Sequence, residues 1–213
     1  KGLRMKLNAT IFHGHCLVLH VVHPHIPGDA NLTCHLIDTS LEVYHRTMVA
    51  KGHAGHTPPN NRFQMDGVST NWGLITFAHL QNLKDGLVLG DDVDVVRNPV
   101  GDTHEDVDGI FGVAHEELKN EDVMDPFELD KHLKAAFVNY KLPVTILHVD
   151  ATFDYKSFYE GHVNSELAGF GYSETESGSH WLKLSDSMFP QHGAAFKKWQ
   201  SETYVDVAIS RDD

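Results

Sequence analysis

Strand-like hydrophobic patterning dominates this chain. Short runs of aliphatic and β-branched residues recur between turn signals made of Pro, Gly, Asn and Asp, and this spacing is typical of a β-sandwich or barrel. One stretch, 127–140, instead has the periodicity of a helix. The predicted strands are 17–23, 74–80, 92–98, 109–115, 144–153 and 204–210. The pattern therefore predicts an all-β protein with one good helix.

Two long stretches, 24–66 and 116–130, lack a regular period. Both are rich in His, Asp and Glu. Irregular segments of this length inside a compact domain are usually functional. We therefore expect binding chemistry in these predicted loops.

The most informative feature of the composition is the number of histidines. The 213 residues include 17 histidines, and 30 acidic residues against 17 basic ones give a net charge of −13. Neutral imidazoles are good ligands for zinc and copper, and carboxylates add affinity for harder ions. The histidine excess predicts metal binding of some kind. The alternative interpretation is that the histidines are incidental residues of a soluble surface whose sequence has drifted.

The negative charge argues against nucleic acid and anionic membrane as partners. No apolar run reaches the ~18 residues that span a bilayer. Glycosylation sequons begin at Asn8 and Asn31, and together with few cysteines they favour a secreted, extracellular protein. A disulfide between Cys16 and Cys34 and two free thiols are both compatible with the sequence.

The segment HCLVLHVVHPHIPGDANLTC, residues 15–34, resembles the loop-opening motif of the copper/zinc superoxide dismutase family. In that motif a His-x-His pair is followed by Gly-Asp and then by a disulfide cysteine. His23 and His25 fall on the two copper-binding histidines and Cys34 on the cysteine. A His-x-His pair on a strand puts both rings on one face, because side chains alternate with a period of two.

Two further segments resemble the same family in the same order. NNRFQMDGVSTN (60–71) is similar to the segment with the zinc-binding aspartate, and GIFGVAHEELKNED (109–122) is similar to the strand with the remaining copper histidine. Over roughly residues 3–140, the resemblance implies an immunoglobulin-like Greek-key β-barrel or sandwich with long loops. The metal ligands that it implies are His23, His25, His45 as the bridging histidine, His53 or His56, Asp66 and His115.

The sequence also departs from the family. Phe63 stands where a zinc-ligand histidine is expected, and phenylalanine cannot bind zinc. No cysteine follows Cys34, which leaves Cys16 as the intrachain partner. No arginine lies between Arg97 and Arg211, and acidic residues occupy the region after His115. Superoxide is an anion, and it must be attracted to the metal by positive charge on the protein surface to react rapidly. We therefore expect the protein to catalyse dismutation weakly or not at all.

The expected domain division is a dismutase-like domain over 1–142, lacking the first strands, followed by 143–213. The second part is either a partial dismutase-like repeat or the strands that complete the first barrel. A repeat would indicate a tandem array. Degenerate repeats of this character are similar to the pernin- and cavortin-type plasma proteins of bivalve haemolymph, which implies metal carriage and assembly into large particles.

These observations favour an extracellular metal-binding glycoprotein of plasma or haemolymph, derived from copper/zinc superoxide dismutase. Its expected partners are copper and/or zinc, or other divalent or ferric ions, and further copies of itself in a homo-oligomer. One alternative is an active copper-dependent superoxide dismutase. Another is a structural or assembly protein in which the histidines hold no specific metal.

Overall fold

A computed structural model describes seven stretches of the chain, namely 4–53, 58–65, 73–97, 106–160, 181–185, 193–197 and 205–208. They belong to two compact units. The first comprises Lys1–Pro27, His35–His56 and Thr103–Thr152. The second comprises Gly28–Cys34, Thr57–Asp102 and Phe153–Asp213.

Helices and strands are interspersed along the described parts of the chain. No helix within the described stretches is long and apolar enough to cross a membrane. The strands are β1 (Lys6–Phe12), β2 (Cys16–Val22), β3 (Asn60–Met65), β4 (Asp92–Arg97), β5 (Val144–Val149), β6 (Trp181–Ser185), β7 (Gly193–Lys197) and β8 (Val205–Ala208). The helices are α1 (Ala30–Ala50), α2 (Leu74–Asp85), α3 (Asp106–Leu118), α4 (Pro126–Ala136) and α5 (Tyr155–Glu160).

The first unit is built on a three-stranded sheet with the order β1-β2-β5. β1 and β2 form an antiparallel hairpin, whereas β2 and β5 run parallel, with Val22 opposite Val149 at their carboxyl ends. All seven residues of β2 are buried. A strand that is buried on both faces reads as a continuous apolar run, as LVLHVV does here.

Helices cover both faces of this sheet. On one face Leu17, Leu19 and Val21 pack with residues of α3 and α4 such as Ile110 and Leu133. On the other face Val18 and Cys16 pack with Val43, Tyr44 and Met48 of α1. The first unit is therefore a three-layer arrangement, with α1 on one side of the sheet and α3 and α4 on the other.

Helix α1 has a defined start and end. Asp29 precedes it, and its Oδ1 accepts a hydrogen bond from the backbone N–H of Leu32 at 3.2 Å, which caps the first turn. After the last turn Gly52 has a φ of 83°. The N–H of Gly52 donates to the carbonyl of Val49, and the N–H of His53 donates to that of Met48. This pairing is the Schellman pattern, which favours glycine at the left-handed position.

The second unit contains a five-stranded sheet with the order β3-β4-β6-β7-β8. β3 and β4 are parallel, with α2 between them in the sequence, and the later strands add in antiparallel fashion. Val93 and Val95 of β4 are fully buried opposite Leu184 and Leu182 of β6. The alternate residue Asp94 accepts a hydrogen bond from the indole N–H of Trp181 at 3.1 Å.

The fold prediction is confirmed in part, because the described residues contain two β-sheets, but they also contain helices and form no closed barrel. The predicted strands 74–80 and 109–115 lie in helices α2 and α3, and the predicted loop 24–66 contains the 21-residue helix α1. A short apolar run cannot be assigned to a strand or a buried helix by its pattern alone. In α3, burial of Ile110 and Ala114, four residues apart, matches the helical period.

Other sequence predictions are confirmed. Strands β2, β4, β5 and β8 fall inside 17–23, 92–98, 144–153 and 204–210 to within a residue, and α4 falls on the predicted helix at 127–140. The expected division into 1–142 and 143–213 stays a prediction. Strand β5, which directly follows residue 143, pairs with β2 in the first unit.

Candidate metal-binding site

The candidate site lies where β2 and β5 end. Because these strands are parallel, their carboxyl ends meet at one edge of the sheet, which is the usual position of ligand sites in α/β proteins. His23 directly follows β2, and Asp150 directly follows β5. The backbone N–H of His23 donates to the carbonyl of Val149 at 3.0 Å, which continues the sheet pairing to the site.

A tight turn brings the two histidines of the motif together. The N–H of Ile26 donates to the carbonyl of His23 at 3.0 Å, and Pro24 occupies the second position of this turn, where its fixed φ is favourable. Ile26 is buried, and its carbonyl accepts a hydrogen bond from the ammonium group of Lys6 at 2.6 Å. The rings therefore meet through a turn after the strand, and not through the pleat of a strand as the sequence predicted.

The hydrogen bonds of the pair define which ring nitrogen carries a proton. His25 Nε2 lies 3.1 Å from the backbone carbonyl of Asp150, so Nε2–H is the donor, and in the neutral ring Nδ1 then carries the lone pair. His23 Nδ1 lies 3.4 Å from the backbone N–H of His25 and accepts from it. Both Nδ1 atoms are therefore acceptors.

These two acceptor nitrogens face each other. Nδ1 of His23 and Nδ1 of His25 are in direct contact, and the ring centroids are 4.2 Å apart at an interplanar angle of 53°. Two lone pairs that point at one another repel unless a cation lies between them. Both residues are exposed to solvent, so a proton or a metal ion can reach that position.

The structure does not group His45, His53 or His115 with this pair. His45 lies on α1, with its ring centroid 5.6 Å from that of Tyr44, and His115 lies exposed on α3. Since α1 and α3 pack on opposite faces of the sheet, His45 and His115 cannot share one ion. His53 follows α1, beyond its last turn. His56 and Asp66 lie outside the described residues.

Within the described part of the chain, no group of three or more His, Cys, Asp or Glu side chains is arranged to hold a metal ion. The structure therefore does not assemble the four-histidine copper centre that the dismutase resemblance implied. What it brings together is the pair His23 and His25, with the carbonyl of Asp150 fixing one ring.

No disulfide joins Cys16 and Cys34 in this structure. Both thiols are buried. Burial raises the pKa of the Cys16 thiol, and this effect outweighs a hydrogen bond with Thr47 and the charge of Lys51. A thiol with a raised pKa stays protonated and is a poor nucleophile and metal ligand.

The two sequon asparagines lie in regular structure. Asn8 is in the middle of β1, half-buried. Asn31 lies in the first turn of α1, where its side-chain oxygen accepts from the N–H of Lys156 at 2.7 Å and its amide nitrogen donates to Asp154 at 3.4 Å. The amide of Asn31 thus already has partners inside its own unit. Glycosylation at either position stays a prediction.

His20 is a histidine that sequence reasoning missed. It lies fully buried in β2, with Nε2 3.0 Å from the hydroxyl of Thr39. That hydroxyl donates to the carbonyl of His35 at 2.8 Å, so it accepts from His20 Nε2–H. Nδ1 is left without a hydrogen-bond partner. Burial, followed by the nearby charge of His35, lowers the pKa of His20 to about 4. The sequence feature that could have indicated a buried role for His20 is a single histidine within an apolar strand.

The first unit thus defines an α/β protein with helices on both faces of a mixed sheet and an imidazole pair at the carboxyl edge of two parallel strands. The chain belongs to the family described as "Domain of unknown function (DUF7869)", whose model matches residues 1–199. No curated protein and no solved structure matches the sequence. The family description names no activity, and function must be argued from the site itself.

Proposed function

We propose that this protein binds a transition-metal ion, copper(II) or zinc(II), between His23 and His25. The observation that carries the proposal is the contact between two Nδ1 atoms that both act as hydrogen-bond acceptors. A metal ion bound by both nitrogens, with metal–nitrogen distances of ~2.0–2.1 Å, would move the two rings apart and convert the repulsion between the lone pairs into two bonds.

The chemistry of the donors favours these metals over magnesium or calcium. Imidazole nitrogen is a borderline donor that suits zinc, copper and nickel, whereas magnesium and calcium select carboxylate, carbonyl and water oxygen. The hydrogen bond from His25 Nε2–H to the Asp150 carbonyl supports this role. Such a bond fixes the ring orientation and makes the opposite nitrogen a better ligand.

Two protein ligands leave several coordination positions open. Because His23 and His25 are exposed, water or an external ligand can fill those positions. We therefore expect binding that is weaker and more readily exchanged than at a structural zinc site with four protein ligands. Carriage or exchange of metal ions suits such a site. The proposal is one of binding and includes no dismutation step.

Isothermal titration with zinc tests this function. The tightest zinc-binding event of the wild-type protein should weaken by about tenfold or more in His23→Ala, in His25→Ala and in the double variant, since each removes a ligand. The matched control is His115→Ala, which removes an exposed histidine on α3, away from the pair. An unchanged titration of the double variant, or an equal loss in His115→Ala, contradicts the proposal.

A further inference from the structure

Strand β1 reaches the turn of the histidine pair through one side chain. Lys6, the first residue of β1, lies opposite Val22, the last residue of β2, in the hairpin. From there its ammonium group donates to the carbonyl of Ile26 at 2.6 Å. A hydrogen bond from a charged donor is among the stronger kinds. This bond connects the end of the turn to β1, which lies on the opposite side of β2 from β5.

Ile26 is the residue through which this bond acts on the pair. Its side chain is buried, and its N–H donates to the carbonyl of His23 at 3.0 Å, which closes the turn around Pro24 and His25. A carbonyl beside a buried side chain is costly to leave without a donor. Loss of the Lys6 bond therefore frees the Ile26 end of the turn, whereas the His23 end stays paired with β5.

An ion pair does not explain the lysine at this position. Within the described stretches, Lys6 takes part in no ion pair, although the chain has 30 acidic residues against 17 basic ones. A positive charge near a metal site also repels the metal cation. Charge alone therefore makes a lysine unfavourable here, and its hydrogen bond to the turn is the contribution that favours it.

We propose that Lys6 is a positioning residue of the histidine pair. Its hydrogen bond keeps the turn closed in the metal-free protein, so that His23 and His25 already lie together when a metal ion arrives. Less ordering is then needed on binding, which raises the affinity. Lys6 acts through the backbone of Ile26 and does not contact the metal. This inference rests on the proposed metal-binding function, and it brings the third strand of the sheet into the site.

Zinc titration of Lys6→Met tests this role, at about 0.5 M salt so that the charge of residue 6 is screened. The variant should bind zinc about fivefold more weakly, because it lacks a hydrogen bond from a charged group. Lys6→Arg keeps the charge and a donor, and it should restore the affinity to within about twofold of wild type. Wild-type affinity in Lys6→Met, or equal losses in Lys6→Met and Lys6→Arg, overturns the proposal.

The matched control is Lys51→Met. Lys51 also donates to a backbone carbonyl, that of His15 at 3.3 Å, but it does so at the opposite end of the β1–β2 hairpin. The control should bind zinc as the wild type does. A loss in Lys51→Met as large as that in Lys6→Met overturns the proposal, because it would show a general effect of removing a lysine from this unit.

Amide exchange in the metal-free protein distinguishes this inference from the metal-binding proposal. In Lys6→Met the N–H of Ile26 should exchange faster, because the turn opens more often, while that of Val18 in the centre of β2 should exchange as in the wild type. An unchanged rate at Ile26 overturns the role of Lys6 even if zinc binds. Faster exchange at Ile26, with zinc binding that does not need His23 and His25, overturns the metal-binding function and leaves the role of Lys6 in holding the turn.

Discussion

Histidines of this chain occupy very different surroundings. His20 is buried and hydrogen-bonded through one nitrogen, whereas His23 and His25 face each other in solvent. His148 is paired with the carboxylate of Asp130, with Nε2 2.7 Å from Oδ1. A count of 17 histidines therefore indicates metal binding less directly than the geometry of two of them does.

His20 should make the protein sensitive to mild acid. Its folded-state pKa is lowered from 6.5 to about 4, so between these values the unfolded chain binds the proton and the folded chain does not. The free energy of unfolding therefore falls as the pH falls through this window, by about 2 kcal/mol from this residue between pH 7 and pH 5. Urea unfolding of His20→Leu at both values should show a correspondingly smaller loss than the wild type.

The control for this prediction is an exposed histidine. His115→Ala should keep the wild-type difference between pH 7 and pH 5, since His115 lies on the solvent side of α3. An unchanged difference in His20→Leu would mean that His20 does not remain neutral in the folded protein.

Among the elements, α4 shows how local sequence determines a helix. Asp125 precedes it and its Oδ1 accepts from the backbone N–H groups of Phe127 and Glu128, at 2.7 and 2.9 Å. Pro126 follows at the first helical position, where a missing N–H costs nothing. These signals and the helical period are all local, and this helix is the one that the sequence predicted.

Removal of this cap should destabilise the protein. Asp125→Ala should lower the free energy of unfolding by about 1 kcal/mol, because two backbone N–H groups lose their acceptor. The matched control is Asp122→Ala, an exposed aspartate just before the helix, which should change stability by less than about 0.5 kcal/mol. Denaturant unfolding measures both. Equal effects of the two substitutions would show that the Asp125 bonds do not stabilise α4.

Helices α1, α2 and α3 could be predicted only in part. Helix α1 carries a signal that was available, an aspartate cap at Asp29 followed by Leu41, Tyr44 and Met48 at helical spacing. In α2 the composition of the run LITFAHL favours a strand, whereas packing in the tertiary structure stabilises a helix. In α3 the dismutase resemblance placed His115 on a strand, whereas Ile110 and Ala114 bury the face of a helix.

At the scale of the whole molecule, the candidate site depends on a pairing that no local pattern shows. β2 and β5 are more than 100 residues apart in the sequence, yet their parallel pairing brings Asp150 to His25. The sequence predicted His23 and His25 as ligands through their resemblance to the dismutase motif, and this stays a prediction. It could not identify Asp150, because that role depends on the topology of the first unit.

Self-association is a property of the whole chain that the sequence predicted and that stays a prediction. The net charge of −13 opposes it, but a metal ion held by two histidines has open positions that a second copy can fill. We expect sedimentation with zinc at neutral pH to show a species larger than the monomer. Chelator, or a pH of about 5 at which imidazoles protonate and release metal, should restore the monomer. A monomer under all three conditions excludes assembly through metal.

The most direct test of the central claim is electron paramagnetic resonance of the protein with one equivalent of copper(II). The account predicts coupling to two imidazole nitrogens in the wild type and in His115→Ala. It predicts loss of that signal when His23 and His25 are both replaced by alanine, because the two facing Nδ1 atoms are the ligands. The same two-nitrogen signal in the double variant would contradict the account and place the metal elsewhere on the chain.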